Sequence, residues 1–429
     1  MEIAMIVVFV LGYIAIALEH PLKIDKAATS LITGMVCWAL FVFTHVEPLE
    51  VEQGLMHHLY DIANILFFLM GAMTIVELVD AHEGFAVITN RIKTTNKVKL
   101  MWILCTLTFF FSAALDNLTT SIVMVSLLRK LIANKQSRWV FAGIIIISAN
   151  AGGAWSPIGD VTTTMLWIKG QLPDVGIIVS HLIIPSLVAM IVPLTIMSFM
   201  LRGNVARPRK AEGIDHYTNP TTNFERSFIF GLGLAGLLFV PFFKTITHLP
   251  PFMGMMLSLG VLWATTEIIH RNKNREQKSK LSVLHVLQKI DTASVLFFLG
   301  ILLAVSALQE VGHLGAAAKF LDEKIGNLYA INMTIGLLSA IVDNVPLVAA
   351  AQGMYPMIPD TDFEASGRFW QFLAYCAGTG GSALIIGSAA GVAVMGLEKI
   401  DFVWYMKKFS LLAISGYLAG AGTYYLMFS

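Results

Sequence analysis

Two Asp-Asn pairs are the residues of this sequence most able to do chemistry, because each lies inside a long apolar run. They are Asp116-Asn117 and Asp343-Asn344. A carboxylate at the centre of a bilayer costs about 2.5 kcal/mol or more, so such a residue indicates a functional site. Two of them in the same local context indicate a duplicated site.

The composition is that of a membrane protein. The 429 residues are 56% hydrophobic and 13% charged, with a net charge of +1 and a mean hydropathy of +0.72. A spanning helix needs about 20 apolar residues, and runs of that length recur along the chain. We therefore expect an all-α integral membrane protein. The three cysteines are interpreted as free buried thiols, and nothing indicates a cofactor or nucleic acid binding.

Ten apolar segments are predicted to span the membrane. Their approximate bounds are 3–18, 27–46, 60–79, 140–168, 175–201, 227–247, 252–269, 293–308, 369–394 and 409–428. Two further apolar stretches, 100–128 and 329–355, contain the Asp-Asn pairs.

The basic residues predict that these two stretches turn back instead of crossing the membrane. Cytoplasmic loops carry an excess of Lys and Arg. Both flanks of the first stretch are basic, at 91–99 and 129–138, whereas the second stretch has mainly acidic flanks. We therefore predict two re-entrant hairpins that enter from opposite sides of the membrane, with Asp116 and Asp343 at their tips. This topology places most of the 29 basic residues on the cytoplasmic side.

The chain also repeats itself at an offset of about 230 residues. The Asp-Asn pair recurs, and Gly152-Gly153 recurs as Gly380-Gly381. We expect residues 1–210 to form one repeat, 211–226 a cytoplasmic linker and 227–429 the second repeat. Five crossings in each half make the second repeat inverted, which is typical of secondary transporters. A duplicated scaffold without transport would leave the intramembrane Asp residues unexplained.

A helix opposite each hairpin is predicted to be interrupted, within 140–168 and 369–394. Gly and Pro free backbone carbonyls there, and Asn, Ser and Thr add side-chain oxygens, which hard cations such as sodium prefer. The candidate ion-binding residues are Asp116, Asn117, Asp160, Thr162, Thr163, Asp343, Asn344, Ser382 and Ser388. The supporting residues in the interrupted helices are Asn150, Ser156, Pro157 and Thr379.

The charge of this site predicts a cationic substrate. Asp160 aligns with Ser388 in the repeat, so the first half carries two carboxylates and the second half one. Such a cluster repels an anion. A buried carboxylate that holds either a proton or a cation would couple the two by linkage. The residues therefore predict cation/proton antiport, with Asp116, Asp160 and Asp343 as the competing carboxylates.

The joint motif pattern resembles the NhaD-type sodium/proton antiporters of the ion transporter superfamily. The motifs run from Ser112 to Thr120, from Ser156 to Thr164, from Asp343 to Pro346 and from Gly380 to Ser382. The resemblance implies exchange of Na⁺ or Li⁺ for H⁺ in a bacterial inner membrane. It also implies that the polar residues named above are candidates for essential positions. By analogy with superfamily relatives, it implies a homodimer.

Two alternatives and one minor prediction stand beside this interpretation. An anion carrier of the same fold, for a dicarboxylate or an oxyanion, is the nearer alternative. An intramembrane aspartyl protease is the remote one, because Tyr60-Asp61 falls at a predicted helix start and Pro157 breaks the second protease motif. The histidines His57, His58 and His82 are interpreted as solvated loop residues, with pH sensing as the alternative.

Overall fold

The computed structural model describes residues 2–43, 48–89, 91–208 and 221–429. Throughout these ranges the secondary structure is helical and no strand occurs, which confirms the all-α prediction. Residues 211–220 of the predicted linker lie outside the described residues.

The helices follow one another along the chain with short connections. They are α1 (Glu2–Ala17), α2 (Glu19–Leu22), α3 (Lys26–Phe41), α4 (Pro48–Ala81), α5 (Ala86–Thr89), α6 (Lys97–Leu115), α7 (Asn117–Leu131), α8 (Lys135–Ala154), α9 (Val161–Ile168), α10 (Val175–Met200), α11 (Asn223–Thr247), α12 (Pro251–Ile269), α13 (Arg275–Leu281), α14 (Val283–Leu287), α15 (Thr292–Glu310), α16 (His313–Lys324), α17 (Leu328–Leu338), α18 (Asn344–Met354), α19 (Arg368–Gly380), α20 (Ala389–Glu398) and α21 (Phe402–Phe428).

Seven of the described helices are long and apolar enough to cross a membrane. These candidate spans are Val51–Ala81, Lys97–Leu115, Val175–Met200, Asn223–Thr247, Pro251–Ile269, Thr292–Glu310 and Phe402–Phe428. The chain is therefore a multi-pass membrane protein. Helix α6 is long enough to cross the membrane without α7, at about 1.5 Å of rise per residue. Length therefore does not decide whether the stretch 100–128 turns back, and the hairpin stays a prediction.

Several helices are interrupted near the Asp residues. Where the sequence predicts a single segment 140–168, the chain leaves the helix after Ala154 and re-enters it at Val161. In the segment 369–394 it leaves after Gly380 and re-enters at Ala389. The stretches that contain the Asp-Asn pairs break at Asp116 and between Leu338 and Asn344.

Helices α3 and α15 pack closely, and this contact joins the N-terminal part of the chain to its second half. A Cβ on Gly34 would lie 2.4 Å from the carbonyl oxygen of Gly300, and a Cβ on Gly300 would lie 2.4 Å from the backbone nitrogen of Leu31. Small residues allow this backbone approach, which is the usual way in which helices associate in lipid.

Helix α4 is longer than predicted and corrects the interpretation of the histidines. It begins at Pro48, so His57 and His58 lie in a helix and not in a loop. His58 is 5% exposed and His82 is fully buried, so the prediction of solvated residues is wrong for both. Asp61 lies within the helix, where its carboxylate is 3.8 Å from the Lys169 ammonium. A helix start at residue 60 was expected because the polar residues before it dilute the apolar pattern.

Candidate functional site

Each of the four helix interruptions is followed by a helix whose first turn is capped by a side chain. The three Asp residues cap α7, α9 and α18, and the fourth cap is the hydroxyl of Ser388 at α20. Asp116 accepts the N–H of Thr119 at 2.8 Å, and Asp160 accepts that of Thr162 at 2.9 Å. Asp343 accepts the N–H of Val345 at 3.4 Å, and Ser388 that of Gly391 at 3.2 Å. The positive ends of four helices thus meet carboxylate or hydroxyl oxygens.

Asp160 lies at the centre of the site and is 1% exposed. The amide of Asn117 donates to its Oδ2 at 2.6 Å, and the amide of Asn344 lies 3.4 Å from both of its oxygens. The hydroxyl of Thr162 donates to Oδ1 at 2.7 Å. The Asn of each Asp-Asn pair therefore reaches the same carboxylate, which brings both pairs to one place.

Asn150 extends this network into the second interrupted helix. Its Oδ1 accepts from Asn117 at 3.2 Å, and its Nδ2 donates to the hydroxyls of Ser382 and Ser388, each at 2.9 Å. Seven of the residues predicted from the sequence are thus linked through consecutive hydrogen bonds. They are Asn117, Asn150, Asp160, Thr162, Asn344, Ser382 and Ser388.

The other two carboxylates flank this network and have different partners. Asp116 adopts φ +72°, which is strained for a residue other than glycine, and its Oδ2 accepts the hydroxyl of Thr119 at 2.7 Å. Asp343 lies 3.2 Å from the ammonium of Lys26. Because each is the chain neighbour of an Asn that reaches Asp160, both lie beside the central residue, although the described residues contain no group of three acidic, His or Cys side chains placed to hold one metal ion.

The supporting residues mainly hold the interruptions in shape. The hydroxyl of Ser156 donates to the carbonyl of Ala113 at 2.5 Å, and the carbonyl of Pro157 accepts from the hydroxyl of Thr164 at 2.9 Å. The hydroxyl of Thr379 donates to the carbonyl of Tyr375 within its own helix. These three residues position the backbone and do not touch Asp160 by hydrogen bond.

Three buried hydroxyls near the interruptions have no hydrogen-bond partner among the described residues. They belong to Thr120 and Ser121 in the first turns of α7 and to Thr163 in the first turn of α9. A buried unpaired hydroxyl is costly, so each calls for an explanation such as a ligand or a water. Thr163 was predicted as a site residue, whereas Thr120 and Ser121 were not, although both follow Asp116-Asn117 directly.

Glycines allow the interrupted helices to press against the helices that carry the Asp-Asn pairs. A Cβ on Gly152 would lie 2.2 Å from the carbonyl oxygen of Phe109 in α6. The repeat-matched Gly380 faces the carbonyl oxygen of Gly336 in α17 in the same way, at 2.0 Å. In both halves a residue with a side chain at this position would push the two helices apart.

The chemistry available at the centre is that of oxygen ligands around a carboxylate. The groups that reach Asp160 are neutral amides, a hydroxyl and a backbone N–H, so its negative charge is solvated without being neutralised by them. When the amide group of an Asn side chain turns over, its oxygen takes the place of its nitrogen. The same side chains can therefore donate hydrogen bonds to a carboxylate that holds no cation, or contribute oxygen ligands to a hard cation.

Lys26 is the residue of the site that the sequence did not reveal. Basic residues next to apolar segments are expected in cytoplasmic loops, yet the ammonium of Lys26 contacts Asp343 more than three hundred positions away. A basic residue at the start of an apolar run is an ordinary topology signal. No local pattern distinguishes such a residue from one that reaches a part-buried carboxylate inside the protein.

The fold and the site define a class: a multi-pass helical membrane protein with one buried carboxylate and two part-buried ones at interrupted helices, as in secondary transporters. Comparison with known proteins agrees. The family model described as citrate transporter, CitMHS, matches residues 13–371. Sodium/proton antiporter 2 of Arabidopsis thaliana is 44% identical over 98% of this chain and 98% of its own length. Sodium/proton antiporter 1 of the same plant is 46% identical over 99% of this chain and 72% of its length.

A bacterial relative extends the comparison. The Na⁺/H⁺ antiporter NhaD of Vibrio cholerae serotype O1 is 31% identical over 94% of this chain and 87% of its own length. The chain therefore belongs to the CitMHS transporter family and is of the NhaD type, as the motif resemblance predicts. Family and relatives are transporters and not enzymes, which excludes the aspartyl protease alternative.

Proposed function

We propose that this protein exchanges Na⁺ or Li⁺ for H⁺ across a membrane, with Asp160 as the central cation and proton site and with Asp116 and Asp343 beside it. The relatives from a plant and from Vibrio cholerae, whose names describe sodium/proton antiporters, support the substrates. Nearly all of this chain aligns with them.

The observation that carries the proposal is the environment of Asp160. Its carboxylate is buried, and the partners of its two oxygens are uncharged. A buried carboxylate without a neutralising partner attracts a proton or a small cation, and the nearby carboxylates strengthen that attraction. Binding of one excludes the other, so sodium enters as a proton leaves. Competition between sodium and the proton follows from linkage, and it becomes coupled exchange when the site opens to each side of the membrane in turn.

The architecture we propose is a pair of inverted repeats, 1–210 and 227–429, each with a re-entrant hairpin and an interrupted helix. The matching approaches of Gly152 to α6 and of Gly380 to α17 support the repeat. So do the capping positions of Asp160 and Ser388, which correspond in the two halves. In this arrangement the ion site lies where the two repeats meet.

The anion-carrier alternative draws its support from the family description, which names citrate. A citrate site needs several cationic or N–H donors facing the ligand. Here three of the four helix starts are capped by carboxylates, and the lysine at the site is already paired with Asp343. The charge at the site therefore favours cation exchange over citrate transport.

Purified protein in vesicles with an internal pH dye tests the proposal. After a pH gradient is formed, Na⁺, Li⁺, K⁺ or citrate is added outside. Dissipation of the gradient by Na⁺ and Li⁺, absent in empty vesicles, is the expected result. A response to citrate alone would establish the anion carrier instead, and the carboxylate cluster would then need another role.

Membrane and assembly are further parts of the proposal. We place the protein in a bacterial inner membrane, with the basic loops facing the cytoplasm. The names of the relatives do not select the membrane, because they come from both plants and bacteria. We further propose a homodimer, which cross-linking in native membranes followed by mass measurement would test.

A further inference from the structure

Lys26 places a positive charge beside one of the three carboxylates of the site. Its ammonium lies 3.2 Å from Oδ2 of Asp343 and 4.4 Å from the centre of the Phe297 ring. The side chains of Lys26 and Asp343 are 18% and 12% exposed. Such a partly buried pair is stronger than one at the surface, because water screens it less.

The three carboxylates of the site differ in whether their partner carries a positive charge. Asp116 is held by the backbone and hydroxyl of Thr119, and Asp160 by amides and a hydroxyl. In the part of the chain that the structure describes, Asp343 is the one of the three that pairs with a lysine. An ammonium at this distance occupies the position from which a monovalent cation would approach the carboxylate.

We propose that Lys26 is a tethered competitor of the transported cation at Asp343 and thereby sets the apparent affinity of the transporter for sodium. In the empty protein the ammonium neutralises Asp343. Sodium uses this carboxylate only when the ion pair opens. The inference rests on the proposed function, because it concerns the ion that Asp343 receives.

The surroundings give Lys26 an alternative acceptor. A cavity is lined by Lys26 and Asp343 together with Glu19, and the backbone N–H of Lys26 already donates to the Glu19 carboxylate at 3.3 Å. The Lys26 side chain therefore has open space beside it, with a second carboxylate on the same cavity, into which it can move away from Asp343. An ion pair that opens at small cost suits a competitor better than a permanent link.

The structure does not need this ion pair to hold the two halves together. Helix α3, which begins at Lys26, is already packed against α15 through the close approach of Gly34 and Gly300. Removal of the ammonium should therefore leave the fold intact and free Asp343 for an external cation.

The test is the concentration of sodium that half-saturates the protein, measured by equilibrium binding of radioactive sodium and by exchange in vesicles. We expect Lys26→Gln to lower this concentration about fivefold, as for loss of a partly exposed ion pair. Lys26→Arg keeps the charge and should not lower it. Lys23→Gln removes an exposed lysine of the same connection and is the matched control, with no change expected.

The double variant Lys26→Gln/Asp343→Asn shows whether the effect passes through Asp343. The affinity gain of Lys26→Gln should disappear in the Asp343→Asn background. An unchanged or raised half-saturating concentration in folded Lys26→Gln, with the unmodified protein active, would overturn the role of Lys26 and leave the proposed function standing. Failure of the proposed function is recognised separately, because the unmodified protein would then neither bind nor exchange sodium.

A measurement on the unmodified protein covers the case in which Lys26→Gln does not fold. Reductive methylation of Lys26, followed by mass spectrometry, should become faster when sodium is added, because sodium frees the ammonium from Asp343. Methylation of Lys23 provides the internal reference. A rate at Lys26 that is the same with and without saturating sodium would contradict the proposal.

Discussion

The carboxylate of Asp160 has two separable roles, since it caps α9 and carries the charge at the centre of the site. The corresponding residue of the second half, Ser388, caps α20 with a neutral hydroxyl. Capping alone thus needs no charge. A serine at position 160 should preserve the first role and remove the second.

Asp160→Ser is therefore expected to abolish exchange and to keep the cap, although the amides of Asn117 and Asn344 lose their acceptor. Asp160→Ala also removes the cap, which costs about 1 kcal/mol, so its melting temperature should fall below that of Asp160→Ser. Vesicle exchange and melting in detergent measure the two effects. Sodium-driven proton movement at the unmodified rate in Asp160→Ser would contradict the assigned role.

A buried histidine pair joins three helices on the side assigned to the cytoplasm. Nδ1 of His82 donates to the carbonyl of Leu78, and the Nε2 atoms of His82 and His270 lie 2.8 Å apart. The remaining Nδ1 of His270 faces the Glu225 carboxylate at 3.9 Å, and Lys273 pairs with the same carboxylate. Burial lowers the pKa of His82 and lowers the pKa of His270 to about 4.

This pair should make the fold less stable in acid. Both histidines have a lower pKa in the folded protein than in the unfolded chain, so the unfolded chain binds more protons below about pH 6.5. The melting temperature should fall as the pH is lowered from 6.5 towards 4. Replacing both residues in His82→Gln/His270→Gln should flatten this dependence, and His248→Gln, at an exposed histidine, should not. An equally steep profile in the double variant would exclude the pair as its cause.

At the scale of the helices, the sequence predicted where the helices are interrupted but not which residues the interruptions bring together. Gly, Pro and the polar residues marked the interruptions after Ala154 and Gly380. The same residues could not show that Asn117 and Asn344 converge on Asp160, because this convergence depends on tertiary packing. The burial of His82 against His270 was missed for the same reason.

The close approach of α8 to α6 predicts that position 152 tolerates glycine alone. Gly152→Ala places a methyl group 2.2 Å from the Phe109 carbonyl oxygen in the unshifted structure. We expect a loss of about 1–3 kcal/mol of stability and reduced exchange. Gly260→Ala, in α12 where a Cβ meets no atom within 4 Å, is the control and should be neutral or slightly stabilising. Equal melting temperatures for the two variants would show that α6 and α8 separate freely.

At the scale of the whole molecule, the charge pattern predicts on which side the ends of each Asp-Asn stretch lie. The structure supplies the helices and their contacts, but the orientation in the bilayer comes from the basic loops. The three native cysteines are buried, so an introduced cysteine can be labelled against a low background.

Labelling with a membrane-impermeant thiol reagent tests this topology. Thr95→Cys and Gln136→Cys, at the two ends of the first stretch, should react only from the cytoplasmic side. Glu323→Cys and Met357→Cys, at the ends of the second stretch, should react only from the opposite side. Reaction of Thr95→Cys and Gln136→Cys from different sides would show that the first stretch crosses the membrane.

Proton release on sodium binding tests the central claim most directly, because exchange requires sodium and the proton to compete for the same carboxylates. Sodium is added to the purified protein in weakly buffered solution while a pH indicator is followed. Saturable release of protons, absent in Asp160→Ser, is the predicted result. Saturable binding of sodium with no proton released at any pH would contradict the account.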